Sequence, residues 1–99
     1  MPTDQHVVVL ADLFRLLGDS TRLKIVLTCL EEPVSVSNIA TINGLSNSLV
    51  SHHLRLLRAA RVLKAERQGK LVFYSAADQH ISDMLAGMLT HIDEPDEEH

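Results

Sequence analysis

The sequence predicts an α+β fold, mainly helical, with the topology of a winged helix-turn-helix. One observation is a short helical segment, a glycine-containing turn and a longer helical segment, over residues 37–42, 43–45 and 46–60, which is the spacing of a helix-turn-helix. The other is a pair of strand-like runs directly after them, at 62–66 and 71–75. Such runs on either side of a glycine turn predict a two-stranded β-hairpin, here in the position of a wing.

Amphipathic helices are predicted before and after this unit. A first helix over 7–17 is followed by a second, which is capped by Asp19 or Ser20 and runs toward Glu31. A last helix begins at Asp78. Its apolar positions repeat with the period of a helix and form one stripe: Ile81, Met84, Leu85, Met88, Leu89 and Ile92.

Composition favours an oligomer. Hydrophobic residues make up 45% of the 99 residues but aromatic residues only 3%, and a chain this short buries only part of its surface by itself. We therefore expect a homodimer that forms through the first and last helices. One domain is predicted over 1–94, followed by a disordered acidic tail over 95–99.

The sequence predicts a cytoplasmic protein with no membrane partner. No apolar run approaches the length of a membrane span, and the first residues do not have the layout of a secretion signal. The single cysteine, Cys29, excludes an intramolecular disulfide and lies in an apolar run, where we expect a buried structural thiol.

The charge distribution allows binding to double-stranded DNA in spite of a net charge of −4, although a solvated basic face and an acidic tail would explain it equally well. Most of the basic residues lie between Arg55 and Lys70, while acidic residues crowd the last positions of the chain, and a local basic stripe of this kind can bind phosphate. The first residues of the second helix of the motif are expected to face base edges: Asn47, Ser48, Ser51 and His52. Phosphate contacts are expected from later residues of that helix and from the wing: Arg55, Arg58, Arg67, Gln68 and Lys70.

Four residues around the last helix have the types and the register of a metal site: Asp78, His80, His91 and Glu94. The two histidines are eleven positions apart, which is about 20° around a helix but roughly 16 Å along its axis. A zinc ion is bound at only about 2.0–2.2 Å, so one straight helix cannot bring both histidines to one ion. Two antiparallel copies can, and we predict two ions per dimer. Two nitrogen and two oxygen ligands suit zinc, with cobalt as a substitute.

Nickel remains an open alternative at this site. It prefers more than four ligands, and His6, near the N-terminus, could supply one more. His99 is likewise unassigned to any site.

Three stretches together resemble the ArsR/SmtB family of metal-sensing repressors. They are LLGDSTR at 16–22, LSNSLVSHHLRLL at 45–57, and RQGK at 67–70 with Tyr74 after it; the resemblance extends over about residues 8–94. It implies a winged helix-turn-helix homodimer that binds an operator near genes for metal export or sequestration.

The resemblance also has implications for the metal site and its coupling to DNA. Some members bind metal through a pair of C-terminal helices, and the four predicted ligands match that pattern one by one. Other members use cysteines where this chain has Ser35 and Ser37, so that second type of site is expected to be absent. The resemblance further implies that His91 donates a hydrogen bond to the backbone carbonyl of Arg61 and so links the metal site to the end of the recognition helix.

The resulting hypothesis is a metal-responsive repressor whose metal-free dimer binds the operator and releases it when zinc binds. The alternative within the same fold is a regulator that responds to another metal or to a non-metal signal. A small zinc hydrolase is the alternative from another class. A catalytic zinc keeps an open coordination position, whereas four protein ligands fill this one, so we do not expect an enzyme.

Overall fold

The computed structural model describes residues 1–96 as five helices and a small antiparallel sheet. The elements in chain order are α1 Asp4–Leu17, α2 Ser20–Thr28, β1 Val34–Ser35, α3 Val36–Asn43, α4 Asn47–Ala59, β2 Leu63–Gln68, β3 Leu71–Ala76 and α5 Gln79–Asp93. Of the predicted acidic tail, 97–99 lie outside the described residues, as does the unassigned His99.

Side-chain caps set where the helices begin. α1 starts three residues before the predicted position, because Thr3 accepts a hydrogen bond from the backbone N–H of His6 at 3.1 Å while His6 Nδ1 accepts one from the backbone N–H of Thr3 at 3.1 Å. This reciprocal capping box satisfies two N–H groups that an uncapped helix leaves unpaired. The predicted start followed the first apolar residue, Val7, and was therefore too late.

The second helix ends earlier than predicted. α2 stops at Thr28, and the backbone N–H of Cys29 donates to Val26 O at 2.9 Å in the tighter pattern of a closing turn. The prediction that it runs toward Glu31 was wrong, because Leu30 keeps the apolar pattern going after the backbone has left the helix. Pro33 then keeps the residue before it out of the helical region.

The sheet has three strands, in the order β1-β3-β2. β2 and β3 form the predicted hairpin, in register from the Leu63–Ala76 pair to the Gln68–Leu71 pair, and a two-residue turn with Gly69 at φ 64° connects them. β1 adds a third strand by pairing with Tyr74 and Phe73. The prediction of only two strands missed it, since two residues are too few to show a period.

The hydrophobic core lies between α2, α3, α4 and the sheet. Ile25, Ile39, Leu54 and Leu57 are among its fully buried side chains. By contrast, α1 contributes one buried residue, Leu17, and α5 also contributes one. Both outer helices therefore carry apolar side chains that their own chain leaves in solvent: Val7, Val8, Val9, Leu10, Phe14, Met88, Leu89 and Ile92. No helix among residues 1–96 is long and apolar enough to cross a bilayer.

Candidate DNA interface and metal-ligand pairs

The recognition helix α4 separates a buried face from a polar one. Ser46 caps it by accepting a hydrogen bond from the backbone N–H of Leu49 at 3.1 Å. The preceding turn is closed by Gly44, whose left-handed φ of 66° a glycine adopts without strain. Val50, Leu54 and Leu57 hold the inner face in the core. The opposite face carries the predicted DNA-contacting residues of this helix, all of them exposed: Asn47, Ser48, Ser51, His52, Arg55 and Arg58.

A groove beside α4 adds a residue that was not among the predicted DNA contacts. Ser51, Arg55 and Arg58 line it together with Tyr74 of β3. Tyr74 is half-buried and also packs against the core. Two guanidinium groups, a hydroxyl and a phenol are donors that suit a DNA phosphate. The sequence signal for Tyr74 was only an aromatic residue in a predicted strand, next to Phe73, and such a residue favours a core position equally.

The wing lies at the exposed end of the sheet. The predicted phosphate-contacting residues Arg67, Gln68 and Lys70 are all exposed around its turn. A second groove lined by Arg58, Arg61 and Lys64 continues the basic surface from the end of α4 into β2. Arg58 lines both grooves, so the part of the basic stripe from Arg55 to Lys64 forms one connected surface.

The first pair of predicted metal ligands lies at the start of α5. Asp78 is the N-cap in an extended conformation, and its Oδ1 accepts a hydrogen bond from the backbone N–H of Ile81 at 3.1 Å. Because Asp78 stands outside the helix, its side chain can share a side with His80. The His80 Nδ1 to Asp78 Oδ1 distance is 3.7 Å, and the two side chains are 95% and 55% exposed.

The second pair lies at the other end of α5. His91 Nδ1 is 3.8 Å from Glu94 Oε1, and both side chains are largely exposed. Each pair supplies one imidazole and one carboxylate, which is half of a four-ligand zinc site. Within residues 1–96 of a single chain, no three His, Cys, Asp or Glu side chains lie close enough together to hold one metal ion. The donor chemistry therefore fits zinc only if another chain supplies the missing half.

His6, Ser35, Ser37 and Cys29 are not among the four predicted metal ligands. His6 belongs to the α1 capping box. Ser35 caps α3 by accepting from the backbone N–H of Asn38 at 3.3 Å, and Ser37 is exposed. Cys29 is fully buried, and burial raises the pKa of its thiol to about 12. The prediction of a buried structural thiol is confirmed.

The backbone leaves α4 through an unusual residue. Arg61 has φ 61°, and the N–H groups of Arg61 and Val62 donate to Arg58 O and Leu57 O at 3.0 and 2.9 Å. These bonds close the end of the recognition helix in the manner of a left-handed C-terminal cap. The hydrogen bond from His91 to the carbonyl of Arg61 stays a prediction.

Comparison with known proteins agrees with this geometry. The family model "Bacterial regulatory protein, arsR family" matches residues 19–65, from the cap of α2 into the wing. The chain is 34% identical over 87 residues to a transcriptional repressor SmtB homolog of Synechocystis sp. (88% of this chain, 66% of that protein). It is 36% identical over 88 residues to a cadmium resistance transcriptional regulatory protein CadC homolog of Staphylococcus aureus (88% of this chain, 73% of that protein). The chain thus spans about two thirds of the length of these relatives.

A solved structure shares the whole fold. It is the homodimeric winged helix-turn-helix DNA-binding domain of a possible ArsR-family regulator from Mycobacterium bovis, with a TM-score of 0.85 at 24% identity (100% of this chain, 94% of that chain). The winged helix-turn-helix predicted from the sequence is confirmed.

Proposed function

Because the chain belongs to the arsR family of bacterial regulatory proteins, we propose that it is a metal-responsive transcriptional repressor. In this proposal the metal-free homodimer binds operator DNA, and zinc binding at the dimer interface releases it. The family consists of DNA-binding regulators and not of enzymes, as the sequence predicted. A bacterial regulator of this kind acts where the chromosome is, so the proposed location is the cytoplasm.

The observation that carries the metal proposal is the placement of the two donor pairs. Asp78 with His80 and His91 with Glu94 stand at opposite ends of α5, each pair within 4 Å and largely exposed. Antiparallel packing of two α5 helices brings the start of one helix beside the end of the other. The four donors at each such junction would then hold one zinc ion, which cross-links the two helices when bound.

The helix that carries the donor pairs also has the apolar surface that a dimer needs. The apolar side chains of α5 that stay in solvent, Met88 and Ile92 among them, lie on the helix that carries the donor pairs. Apolar residues of α1, including Phe14, are exposed as well and line a groove with Ile81 and Met84 of α5. A second copy that covers both helices removes this surface from water, which is the main driving force for association.

The position of the proposed ligands limits how metal can act on DNA binding. None of the four lies on α4 or the wing, so they cannot obstruct the major groove and must act through the dimer. A two-fold dimer reads half-sites at a separation set by geometry. Constraining the α5 helices changes the angle between the two recognition helices, and a tenfold loss of operator affinity corresponds to only about 1.4 kcal/mol of coupling.

The test compares operator affinity with and without zinc for matched carboxylate variants. Glu94→Ala removes a proposed ligand, whereas Asp93→Ala removes the neighbouring exposed acid and is the control. We expect zinc to weaken operator binding of the wild type and of Asp93→Ala at least tenfold, and that of Glu94→Ala much less. If zinc tightens operator binding of the wild type, the direction of the switch is wrong.

The proposed link from His91 to Arg61 needs a separate measurement. A metal-bound imidazole usually donates its second N–H to a carbonyl or carboxylate, and that bond transmits its orientation. Chemical methylation of the His91 nitrogen that does not bind metal should leave zinc affinity nearly intact but abolish the release of DNA. If zinc still released the methylated protein from DNA normally, the His91–Arg61 link would be wrong, but the proposed metal site would not be affected.

The alternative is a regulator of the same fold that senses another metal, such as cobalt or nickel, or a non-metal signal. The S. aureus relative is named for cadmium resistance. Cadmium is a soft ion that favours thiolates, and the only cysteine of this chain is buried with a raised pKa. Zinc is therefore the better match to the exposed donors. Equal weakening of operator binding by cobalt, nickel and zinc would leave the metal-sensing function intact but not the preference for zinc.

A further inference from the structure

The core face of the recognition helix carries a buried histidine that the DNA and metal proposals do not use. His53 is 7% exposed and lies among Val50, Leu54 and Leu57 on the inner side of α4. A buried imidazole needs a hydrogen-bond partner, since an unpaired polar group in the core is costly. Its partner is Arg22 of α2, whose Nε donates to His53 Nδ1 at 3.3 Å.

Arg22 connects three helices through one guanidinium group. While Nε donates to His53, Nη1 donates to the backbone carbonyl of Leu16 at 2.9 Å, near the end of α1. On its third side, Nη2 lies 4.0 Å from Asp19 Oδ2, and Asp19 is the cap of α2. The Arg22 side chain is only 19% exposed, so water competes little for these contacts. The end of α1, the start of α2 and the middle of α4 therefore meet at one side chain.

The geometry requires a neutral imidazole. A guanidinium group only donates hydrogen bonds, so His53 Nδ1 must offer its lone pair and the ring proton must sit on Nε2. Burial lowers the pKa of His53, and the positive charges of Arg22 and of His52 lower it further, whereas Asp19 raises it. These groups are the charged and titratable neighbours whose fields act on the ring: Arg22 and Asp19 from the α2 side, and His52 from α4 itself.

We propose that Arg22 and His53 form a positioning link that holds the recognition helix against the α1–α2 hairpin, and that protonation of His53 breaks this link and weakens operator binding. The inference rests on the proposed DNA-binding function. Neither residue faces the DNA; both act on the orientation of α4. Since α1 carries part of the proposed dimer surface, the link also fixes the orientation of each recognition helix relative to the dimer.

Protonation removes the contact for two reasons. The added proton occupies the lone pair that accepts from Arg22, and it places a second positive charge beside the guanidinium group in a poorly hydrated site. A histidine whose folded-state pKa is lowered loses stability as the pH falls from its unfolded value of 6.5 toward its folded value. Both operator affinity and the stability of the fold are thus expected to fall on the acid side of pH 6.5.

The test uses two substitutions at His53 in the metal-free full chain. His53→Gln keeps a hydrogen-bond acceptor that does not titrate, and His53→Leu removes the acceptor. Affinity is measured for a labelled duplex selected from a random-sequence library with the wild-type protein. At about pH 7.5, where an unshifted imidazole is neutral, His53→Gln should bind within about threefold of the wild type and His53→Leu about tenfold more weakly, as expected for a lost hydrogen bond to a charged donor.

The pH profile separates this link from a purely structural role. From about pH 7.5 to about pH 5.5 the wild type should lose more operator affinity than His53→Gln does, by a factor of up to about ten, because only the wild type loses the acceptor and its folded-state pKa is lowered. His52 is present in both proteins, so any effect of its charge on binding cancels when the wild type is compared with His53→Gln. Circular dichroism at each pH verifies that every variant stays folded.

Two outcomes overturn the proposal. One is a wild type and a His53→Gln variant with the same pH profile, and the other is a folded His53→Leu variant that binds as tightly as the wild type. An NMR titration without DNA tests the geometry independently: His53 must show the Nε2–H tautomer and a pKa below 6.5. If no duplex is selected at all, the DNA-binding function has failed, while the NMR result still decides whether the Arg22–His53 contact forms.

Discussion

The backbone of Arg61 carries a conformational cost. It adopts φ 61° at the junction between the recognition helix and the wing. The left-handed region is costly for a residue with a Cβ, by about 1–2 kcal/mol, and glycine is the usual residue at this place after a helix. Arg61 also lines the basic groove with Arg58 and Lys64. The strained backbone is thus combined with a side chain that faces the proposed DNA surface.

The cost can be measured by substitution. We expect Arg61→Gly to raise the free energy of unfolding by up to about 1 kcal/mol, because glycine adopts this φ without strain, while Arg61→Ala keeps the strain and removes only the side chain. Gly44→Ala is the converse control, since Gly44 has φ 66° and an added Cβ meets no atom within 4 Å. We expect this substitution to lower the free energy of unfolding by about 1 kcal/mol through backbone strain alone. Urea denaturation measures all three. If Arg61→Ala raised the free energy of unfolding as much as Arg61→Gly does, the backbone of Arg61 would not be strained.

At the scale of elements, α4 and the wing differ in what their exposed side chains can do. The start of α4 presents short polar groups such as Ser51, whereas the wing presents long cationic ones such as Lys70. Short donors and acceptors at the start of a recognition helix discriminate base edges, and flexible cations hold phosphates of any sequence. We therefore expect sequence preference to come from the start of α4, and general affinity to come from the wing together with the arginines later in α4.

This division predicts different effects on salt dependence and on sequence preference. Lys70→Ala should weaken binding to all duplexes alike and reduce the slope of log affinity against log salt by about one, because one phosphate contact fewer releases one counterion fewer. Ser51→Ala should leave that slope nearly unchanged and reduce discrimination between operator and mismatched duplexes. Fluorescence anisotropy over a range of salt concentrations measures both. Identical effects of the two substitutions across duplexes would refute the division of roles.

At the scale of the whole molecule, the outer helices are incomplete by themselves. α1 and α5 bury one residue each within the described chain, although both carry an apolar stripe. Of the large apolar side chains on α1 and α5, Phe14 and Ile92 are the most exposed, at 57% and 70%. The same α5 carries the two proposed half-sites for a metal ion. We therefore expect a substitution that prevents dimerisation to prevent metal binding as well.

A charged substitution on this surface tests that coupling. Phe14→Asp should dissociate the dimer and abolish tight zinc binding, because it places a carboxylate in an apolar interface and separates the two half-sites. Ile42→Asp is the matched control, since Ile42 is a comparably exposed apolar residue on α3, at 64%. Sedimentation equilibrium gives the mass, and zinc titration of the wild type should saturate at one ion per chain. Tight zinc binding by a monomeric Phe14→Asp protein would exclude the two-chain site.

The local elements were largely predictable because the signals for them are local. Helix caps such as Ser46 and Asp78, and the glycine turn of the wing, depend on a few adjacent residues, and the structure has them where the sequence indicated. The errors have equally local causes. β1 is too short to show a period, and α1 begins with a capping box in which His6 stands where a glutamate or glutamine is usual.

What the sequence by itself determined is the winged helix-turn-helix, the polar face of its recognition helix and the spacing that keeps His80 and His91 from one ion on a single helix. These follow from the helical period and rise, which are the same in every protein. Only the tertiary structure decided that Tyr74 joins Arg55 and Arg58 in one groove, and that Arg22 reaches His53 across 31 positions of the chain. Such contacts depend on how helices pack against each other, and packing is set by the whole core at once rather than by any short stretch of residues.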